Sequence, residues 1–232
     1  MSITTSSYTL YDNLDNIDTG LDVLDDIVPI YPCYPIYNQY RPIDTYIELY
    51  GVLLDNTDIL KHENTDGTIG YSTRYLTLSS IGGNTSFVNA HFNGVTIPLS
   101  SKLYQCTCVL GDTEAGTNSS GSVRAFGFSP DLSIWQGANR LYFYFVSDTS
   151  YIGIYNSYIT MDSCPLGRDI TEGDALSIRV ENDIAKFYVN GELQYTTDRL
   201  PSSDLECGIG VYANSTTPTY ISTNYMSLQV IP

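Results

Sequence analysis

Hydrolytic chemistry needs its groups in pairs, and this chain supplies few of them. A glycosidic bond is cut by two carboxyl groups about 5–10 Å apart across a cleft. Glu181 and Asp183 are the nearest such pair along the chain, but Glu181-Asn182-Asp183 interrupts an apolar run, so both read as turn residues. Serine chemistry fares no better. Gly127-Phe-Ser-Pro lacks the second glycine of a nucleophile elbow, and the only histidines able to serve as base are His62 and His91. Cys106 and Cys108 put both sulfurs on one face of a strand, not in the knuckle of a zinc site. A buried apolar face accounts for them. No glycine-rich phosphate loop ends in Lys-Ser/Thr. We therefore expect no catalytic residue, no metal site and no cofactor. Ca2+ is the one alternative kept open: Asp55-Asn-Thr-Asp58 and Glu63-Asn-Thr-Asp66 offer oxygens, though neither has a full ligand spacing.

Binding is better served. The chain carries 21 Tyr and a single Trp. Trp135, in SPDLSIWQGANR, stands near Asn139 and Arg140, a setting for stacking on a sugar face. It also follows the alternating Leu132 and Ile134, and sheet-packing core is the reading we favour for it. The tyrosine-rich loops at Tyr155 to Tyr158 and Tyr212 to Tyr220 are stronger contact candidates, because Tyr supplies area at low entropy cost and Asn adaptable hydrogen bonds. The candidate glycan-binding set is Trp135, Tyr155, Tyr158, Tyr212, Asn214 and Tyr220.

Such residues need a scaffold, and its clearest piece is Gly173 to Leu200. Leu176, Ile178 and Val180 alternate with Ala175, Ser177 and Arg179, the period of a half-buried strand. After the Glu181–Asp183 interruption, Ala185, Phe187 and Val189 repeat the pattern. Asn190-Gly191 then tolerates the two positive φ angles of a type I′ hairpin turn, and a third strand leaves through Leu193 and Tyr195. Upstream, strands are predicted over Tyr46–Leu54, Gly70–Ser79, Phe87–Phe92, Lys102–Leu110, Ser122–Phe128, Arg140–Val146 and Tyr151–Thr160, with a closing strand over Ser227–Ile231. Asp66-Gly67, Gly82-Gly83, Asn93-Gly94 and Ser129-Pro130 mark turns between them.

The run GDALSIRVENDIAKFYVNGE, followed by GIGVYANS and a last strand MSLQVI, resembles the C-terminal half of a concanavalin A-like or laminin-G-like jelly roll. The resemblance implies an all-β, two-sheet antiparallel sandwich over residues 46–232. Glucanases of that superfamily carry Glu-x-Asp-x-x-Glu on one strand, and no such triplet occurs here.

The totals agree with an all-β chain: 42% hydrophobic residues but only 16% charged. A net charge of −16 excludes a phosphate-tracking nucleic-acid binder and disfavours anionic membranes. No signal peptide follows Met1, and no apolar run reaches the ~18 residues of a membrane helix. Five scattered cysteines, an odd number, read as reduced thiols.

Residues 1–45 differ from the rest. Asp12, Asp15, Asp18, Asp22, Asp25 and Asp26 all precede the first basic residue, Arg41. Leu10, Leu14, Ile17, Leu21, Leu24 and Val28 recur at spacings of four and three, the seam of a coiled coil. Asn13, Asn16, Thr19 and Gly20 are poor helix residues, so an extended arm that orders on contact is the competing reading. In VPIYPCYPIYNQYRPI, Tyr31, Tyr34, Tyr37 and Tyr40 alternate with Pro29, Pro32 and Pro35, an extended ribbon showing rings along one edge. It is either a stiff linker or a strap against another subunit.

Together these features are similar in style to bacteriophage head-fibre, decoration and tail-fibre proteins. The expectation is a non-enzymatic virion component made in the host cytoplasm. Its N-terminal arm would anchor on other virion proteins or sister copies, in a homo-oligomer, and its lectin-like domain would face a cell-surface glycan. A free lectin is the alternative, and a glycan-active enzyme a further one. Deleting residues 1–45 should leave a soluble, cooperatively unfolding domain that no longer joins its assembly. Changing Leu14, Ile17, Leu21 and Leu24 to Ser should act nearly as strongly, at about 1.5–3 kcal/mol per fully buried side chain. Sedimentation of both variants, alone and with the assembly, checks this; unfolding of the truncated domain would place the arm in the core.

Overall fold

The computed structural model describes residues 45–50, 54–55, 58–64, 67–71, 75–80, 86–101, 103–111, 122–130, 139–146, 149–157, 160–168, 170–213 and 219–231. Expectations for residues 1–44 lie outside them. The strands in chain order are β1 (Thr45–Tyr50), β2 (Leu60–Asn64), β3 (Gly67–Tyr71), β4 (Leu76–Ser80), β5 (Ser86–Phe92), β6 (Leu103–Leu110), β7 (Ser122–Ser129) and β8 (Arg140–Val146). They continue with β9 (Thr149–Ser157), β10 (Thr160–Pro165), β11 (Ala175–Glu181), β12 (Ile184–Val189), β13 (Glu192–Thr197), β14 (Glu206–Ala213) and β15 (Thr219–Ile231).

These strands form two antiparallel sheets, the all-β sandwich expected. One has eight strands in the order β13-β12-β11-β6-β15-β4-β3, with β1 also paired to β15. The other has seven, β10-β9-β8-β7-β14-β5-β2. At 13 residues β15 is the longest of the described strands. It pairs with β6, β4 and β1 at once and is the spine of its sheet.

Alternation decides what each sheet buries. In β12, Ala185, Phe187 and Val189 enter the core while Lys186 and Tyr188 stay partly open. The sheets meet through aromatic edges: Tyr104 of β6 on Phe128 of β7 at 5.1 Å and 89°, and Phe187 of β12 on Phe143 of β8 at 5.5 Å and 81°. Such edge-to-face pairs add about 0.5–1.5 kcal/mol beyond the area they bury. Cys106 and Cys108 do share the inward face of β6 and are fully buried, with Cys207 of β14 opposite. Burial pushes the Cys108 thiol up to about 12 and raises Cys106 well above its usual value. These are packed, unreactive thiols.

Several boundaries differ from those read in the sequence. Gly70–Ser79 is two strands, because the chain reverses and sets Tyr71 opposite Leu76. Tyr151–Thr160 likewise folds into β9 and β10, with Ser157 opposite Thr160. The first strand stops at Tyr50, and Leu54 instead buries its side chain in a short helical turn. β2 (LKHEN) escaped notice because only Leu60 is apolar; it is an edge strand held by β5. The closing strand begins at Thr219, eight residues before Ser227, since Ser222 and Thr223 are buried in spite of their polarity.

The meander from β11 to β13 is as expected. Asn190 and Gly191 have φ of 52° and 78°, and Asn182 and Asp183 have φ of 52° and 60°, so both reversals use left-handed pairs. A carboxylate ties this meander to the chain before it. Asp174 Oδ2 accepts from the Thr171 amide at 2.8 Å and from Arg168 Nη2 at 2.7 Å, and its Oδ1 accepts from Asn190 Nδ2 at 2.6 Å. Asn190 Oδ1 in turn accepts from the Ala175 amide at 2.8 Å. Burial alone would raise the pKa of Asp174. The Thr171 amide, Asn190 and Arg168 outweigh that and hold it below the usual carboxylate range. A depressed folded pKa gives stability that is present above the unfolded value near ~3.9 and lost as pH falls through the folded pKa. Asp174→Asn should therefore lower stability by roughly 1.5–3 kcal/mol at neutral pH. The gap between variant and parent should close on acidification below about pH 4. Urea titrations at several pH values would measure it, and a pH-independent gap would contradict the account.

Candidate ligand-binding face

The seven-stranded sheet has a second face, and the core dictates what lies on it. Phe126 and Phe128 of β7, Leu141 and Phe143 of β8, Ile209 and Val211 of β14, and Val88 and Ala90 of β5 all enter the core. The residues between them therefore sit on the outer side. Strand register orders these into rows. One row runs Tyr142, Gly127, Gly208, His91, Lys61, and the next Tyr144, Ala125, Gly210, Asn89, Glu63.

Four adjacent positions on two central strands thus present nothing larger than a methyl to the outer side. They form the floor of a trough-like strip about 14 Å across, three strand spacings from β8 to β5, and the strip is buried, with Ala125 and Asn89 0% exposed. One wall is aromatic: Tyr142 and Tyr144, ring centroids 5.2 Å apart and tilted 38°. Val123 and Tyr212 pack against this wall at one end. The opposite wall is polar. His91 Nδ1 lies 3.2 Å from Asn89 Oδ1. Both walls are deep, with Tyr142, Tyr144 and His91 4%, 6% and 6% exposed. Arg140, on the outer side next along β8, is buried as well.

No family model matches the sequence, and no curated protein matches it. Solved structures do. The carbohydrate recognition domain of Emp47p superposes with a TM-score of 0.56 at 12% identity, over 80% of this chain and 95% of that one. An endo-β-galactosidase from Clostridium perfringens that releases GlcNAcα1-4Gal gives 0.55 at 14% identity, over 86% and 64%. A Bacillus licheniformis β-glucanase gives 0.50 at 12% identity, over 76% and 94%. The fold is a concanavalin A-like jelly roll. At these identities the likeness is one of fold, and it joins a recognition domain with two glycosidases.

Within this jelly roll the tyrosines singled out in the sequence part company. Tyr155 and Tyr212 lie in strands β9 and β14, not in loops, and belong to the seven-stranded sheet. Tyr155 pairs with Arg140, and Tyr212 is half-buried at the end of the trough. Tyr220 lies in β15 of the other sheet, opposite Ser79. The chain crosses between sheets from β14 to β15, so eight residues of sequence separate two surfaces. Trp135, Tyr158 and Asn214 lie outside the described residues, as do the anchoring candidates Leu10 to Tyr37. Glu181 pairs with Arg179 at 2.8 Å, and Asp183 sits in a turn. Among the described residues no three His, Cys, Asp or Glu side chains gather as metal ligands.

One titratable group of residues lies away from the trough. At the sandwich edge, where β2 of one sheet meets β3 of the other, Tyr71 Oη is 2.6 Å from His62 Nδ1. Burial lowers the His62 pKa against the opposing pull of Asp55 and of the Leu54 carbonyl. Burial and the Asp55 charge both raise Tyr71, so its hydroxyl is not an activated nucleophile.

Gly127 leaves no room for a side chain. Its φ is +150°, and a Cβ there would meet the Leu141 carbonyl oxygen at 2.3 Å, Tyr142 Cα at 2.7 Å and, on the core side, Ile178 Cδ1 of the other sheet at 2.9 Å. The first two obstacles are backbone and cannot swing aside. Gly127→Ala should therefore cost roughly 1–3 kcal/mol, read as a lower denaturant midpoint with unchanged slope. An unchanged midpoint would mean that β7 and β8 can separate without loss.

Proposed function

We propose that this domain is a non-catalytic carbohydrate-binding module, with the trough on the seven-stranded sheet as its glycan seat. The observation that carries the reading is the floor of Gly127, Gly208, Gly210 and Ala125 between an aromatic and a polar wall. Saccharide rings have apolar faces that lie on tyrosine and hydroxyl edges that need hydrogen-bonding partners, and the two walls offer both. The carbohydrate recognition domain among the structural neighbours supports it.

Carboxylate spacing supports binding over hydrolysis. Among the described residues, Glu63 and Glu206 are the carboxylates at outer-side positions of this sheet. They lie two strand spacings and four residues apart, since Glu63 pairs with Asn89 and Asn89 with Gly210. That separates their backbones by roughly 17 Å, so their carboxyl groups would come within the ~10 Å of an inverting pair only if both side chains reached toward each other. The acidic N-terminal segment gives the rest of the proposal: it anchors the domain, as sister copies or on another protein, in a virion of the head-fibre, decoration or tail-fibre kind. Its apolar row sets the lifetime of that contact and its Asp residues the approach rate.

A panel of immobilised oligosaccharides tests the module. The full chain should retain a subset without shortening any of them, and Tyr142→Ala or Tyr144→Ala should weaken retention by about 3–10-fold, the equivalent of ~0.5–1.5 kcal/mol of lost ring contact. Turnover that one acidic substitution abolishes, with folding intact, would establish an enzyme instead.

A further inference from the structure

We infer that the outer face of β11, β12 and β13 receives the N-terminal segment of a second copy of this chain, so that the sandwich is itself the partner of that segment. The inference rests on the anchoring role proposed for the segment and names the surface that role uses.

The core decides which side chains this face shows. Ala185, Phe187 and Val189 of β12 point inward, so Ile184, Lys186 and Tyr188 point out. Register sets Thr196 of β13 opposite Lys186, and Leu193 opposite Tyr188. Ile184 is 40% exposed and Leu193 50%, two of the five large hydrophobic side chains that stand open among the described residues. Between them lies a cation. Lys186 is directly opposite Arg179 of β11, and like charges so placed destabilise a strand pair. Glu181 takes Arg179 Nη2 at 2.8 Å, whereas Lys186 has no ion-pair partner among the described residues. The acids of this meander, Asp183, Glu192 and Asp198, lie at its turns and strand ends. In a chain with 10 basic residues against 26 acidic ones, two cations are set side by side and flanked by bare hydrocarbon. Such a surface suits a ligand that brings both carboxylate and apolar side chains.

The chain carries that ligand. Leu14-Asp15, Ile17-Asp18, Leu21-Asp22 and Leu24-Asp25 repeat the two chemistries step by step. Each step offers an apolar side chain to Ile184, Leu193 and Tyr188 and a carboxylate to Lys186. The length of the connection makes a second copy the source. Residues 28–43 hold Pro29, Pro32, Pro35 and Pro42, so they are expected to form a stiff ribbon of about 50 Å at ~3.1 Å per residue. The sandwich begins at β1, five strand spacings from β13 in the same sheet, or about 24 Å. A ribbon of twice that length carries the segment past its own sheet and onto a neighbour. Reciprocal exchange then closes a two-fold dimer, in which each copy gives one segment and takes one.

The test is the oligomeric state of the full chain by sedimentation. The full chain should be a dimer, and the chain lacking residues 1–28 a folded monomer. Lys186→Glu and Leu193→Ser change outward side chains and leave the core alone. Each occurs twice in a two-fold dimer and should weaken it by about tenfold or more. A mixture separates exchange from docking within one copy. Full chain with both surface substitutions, and chain lacking residues 1–28, should each be monomeric alone and should pair when mixed, because one brings the segment and the other the surface. Failure to pair overturns the inference. So does a dimer that needs residues 1–28 yet tolerates both surface substitutions, a result that leaves the segment anchoring on another surface. A full chain that stays monomeric also overturns it, and if that chain still joins a larger assembly, the anchoring reading stands with another protein as partner. A dimer that survives loss of residues 1–28 would remove the anchoring reading together with this inference.

Discussion

A strand residue that enters the core obliges both its neighbours to leave it. That coupling is the constraint on which this jelly roll depends. In the seven-stranded sheet Phe126, Phe128, Leu141, Phe143, Ile209 and Val211 all point the same way, into contact with the other sheet. Once they do, Gly127, Tyr142, Gly208 and Gly210 have no freedom about which side they occupy. A one-residue slip of β7 against β8 would drive Tyr142 and Tyr144 inward and expose phenylalanine. The cross-sheet ring pairs Tyr104–Phe128 and Phe143–Phe187 resist such a slip from inside, and so hold the outer rows in register.

The glycine floor runs against ordinary strand economy. Glycine loses more backbone freedom on folding than any other residue and weakens a strand interior by about 0.5–1 kcal/mol relative to Ala. β14 carries two such residues in its middle, Gly208 and Gly210. Their neighbours Cys207, Ile209 and Val211 are fully buried, and each apolar side chain of that size contributes about 1.5–3 kcal/mol. The inner face thus stabilises a strand whose outer face is left bare of side chains. The hydrogen bonds of β14 to both β5 and β7 then set the floor between walls that neither strand could place alone.

This explains which parts were legible in the sequence. The meander from β11 to β13 was, because its strands are consecutive, their alternation is clean and both reversals use residues suited to positive φ. The trough was not. Its walls and floor come from positions 89–91, 125–127, 142–144 and 208–210, and their meeting depends on strand order, which local pattern does not contain. In RLYFYFV the outward residues are tyrosines, apolar enough to disguise the two faces as one hydrophobic run. Gly-Ile-Gly in β14 was the available signal, since two glycines on one side of a strand mark a close approach or an emptied surface. Tyr212 was reached for a sound reason, its chemistry, but its proposed partner Tyr220 shared only proximity in sequence.

The same constraint bears on what separates a binding jelly roll from a hydrolytic one. A proton donor or nucleophile must rise from the floor or from the wall beside it, within hydrogen-bonding distance of the scissile oxygen. Here the floor positions are Gly, Gly, Gly and Ala, and the adjoining wall positions are Tyr142, Tyr144, His91 and Asn89. None is a carboxylate. A paired-carboxylate mechanism would need a second acid besides Glu63, which ends one of these rows, delivered at the fixed separation the reaction demands. Binding, the function proposed, needs only surfaces and hydrogen-bonding edges. On the proposed reading, it is the absence of side chains from the floor, more than the presence of any one residue, that turns the back of a core-forming sheet into a place for a ligand.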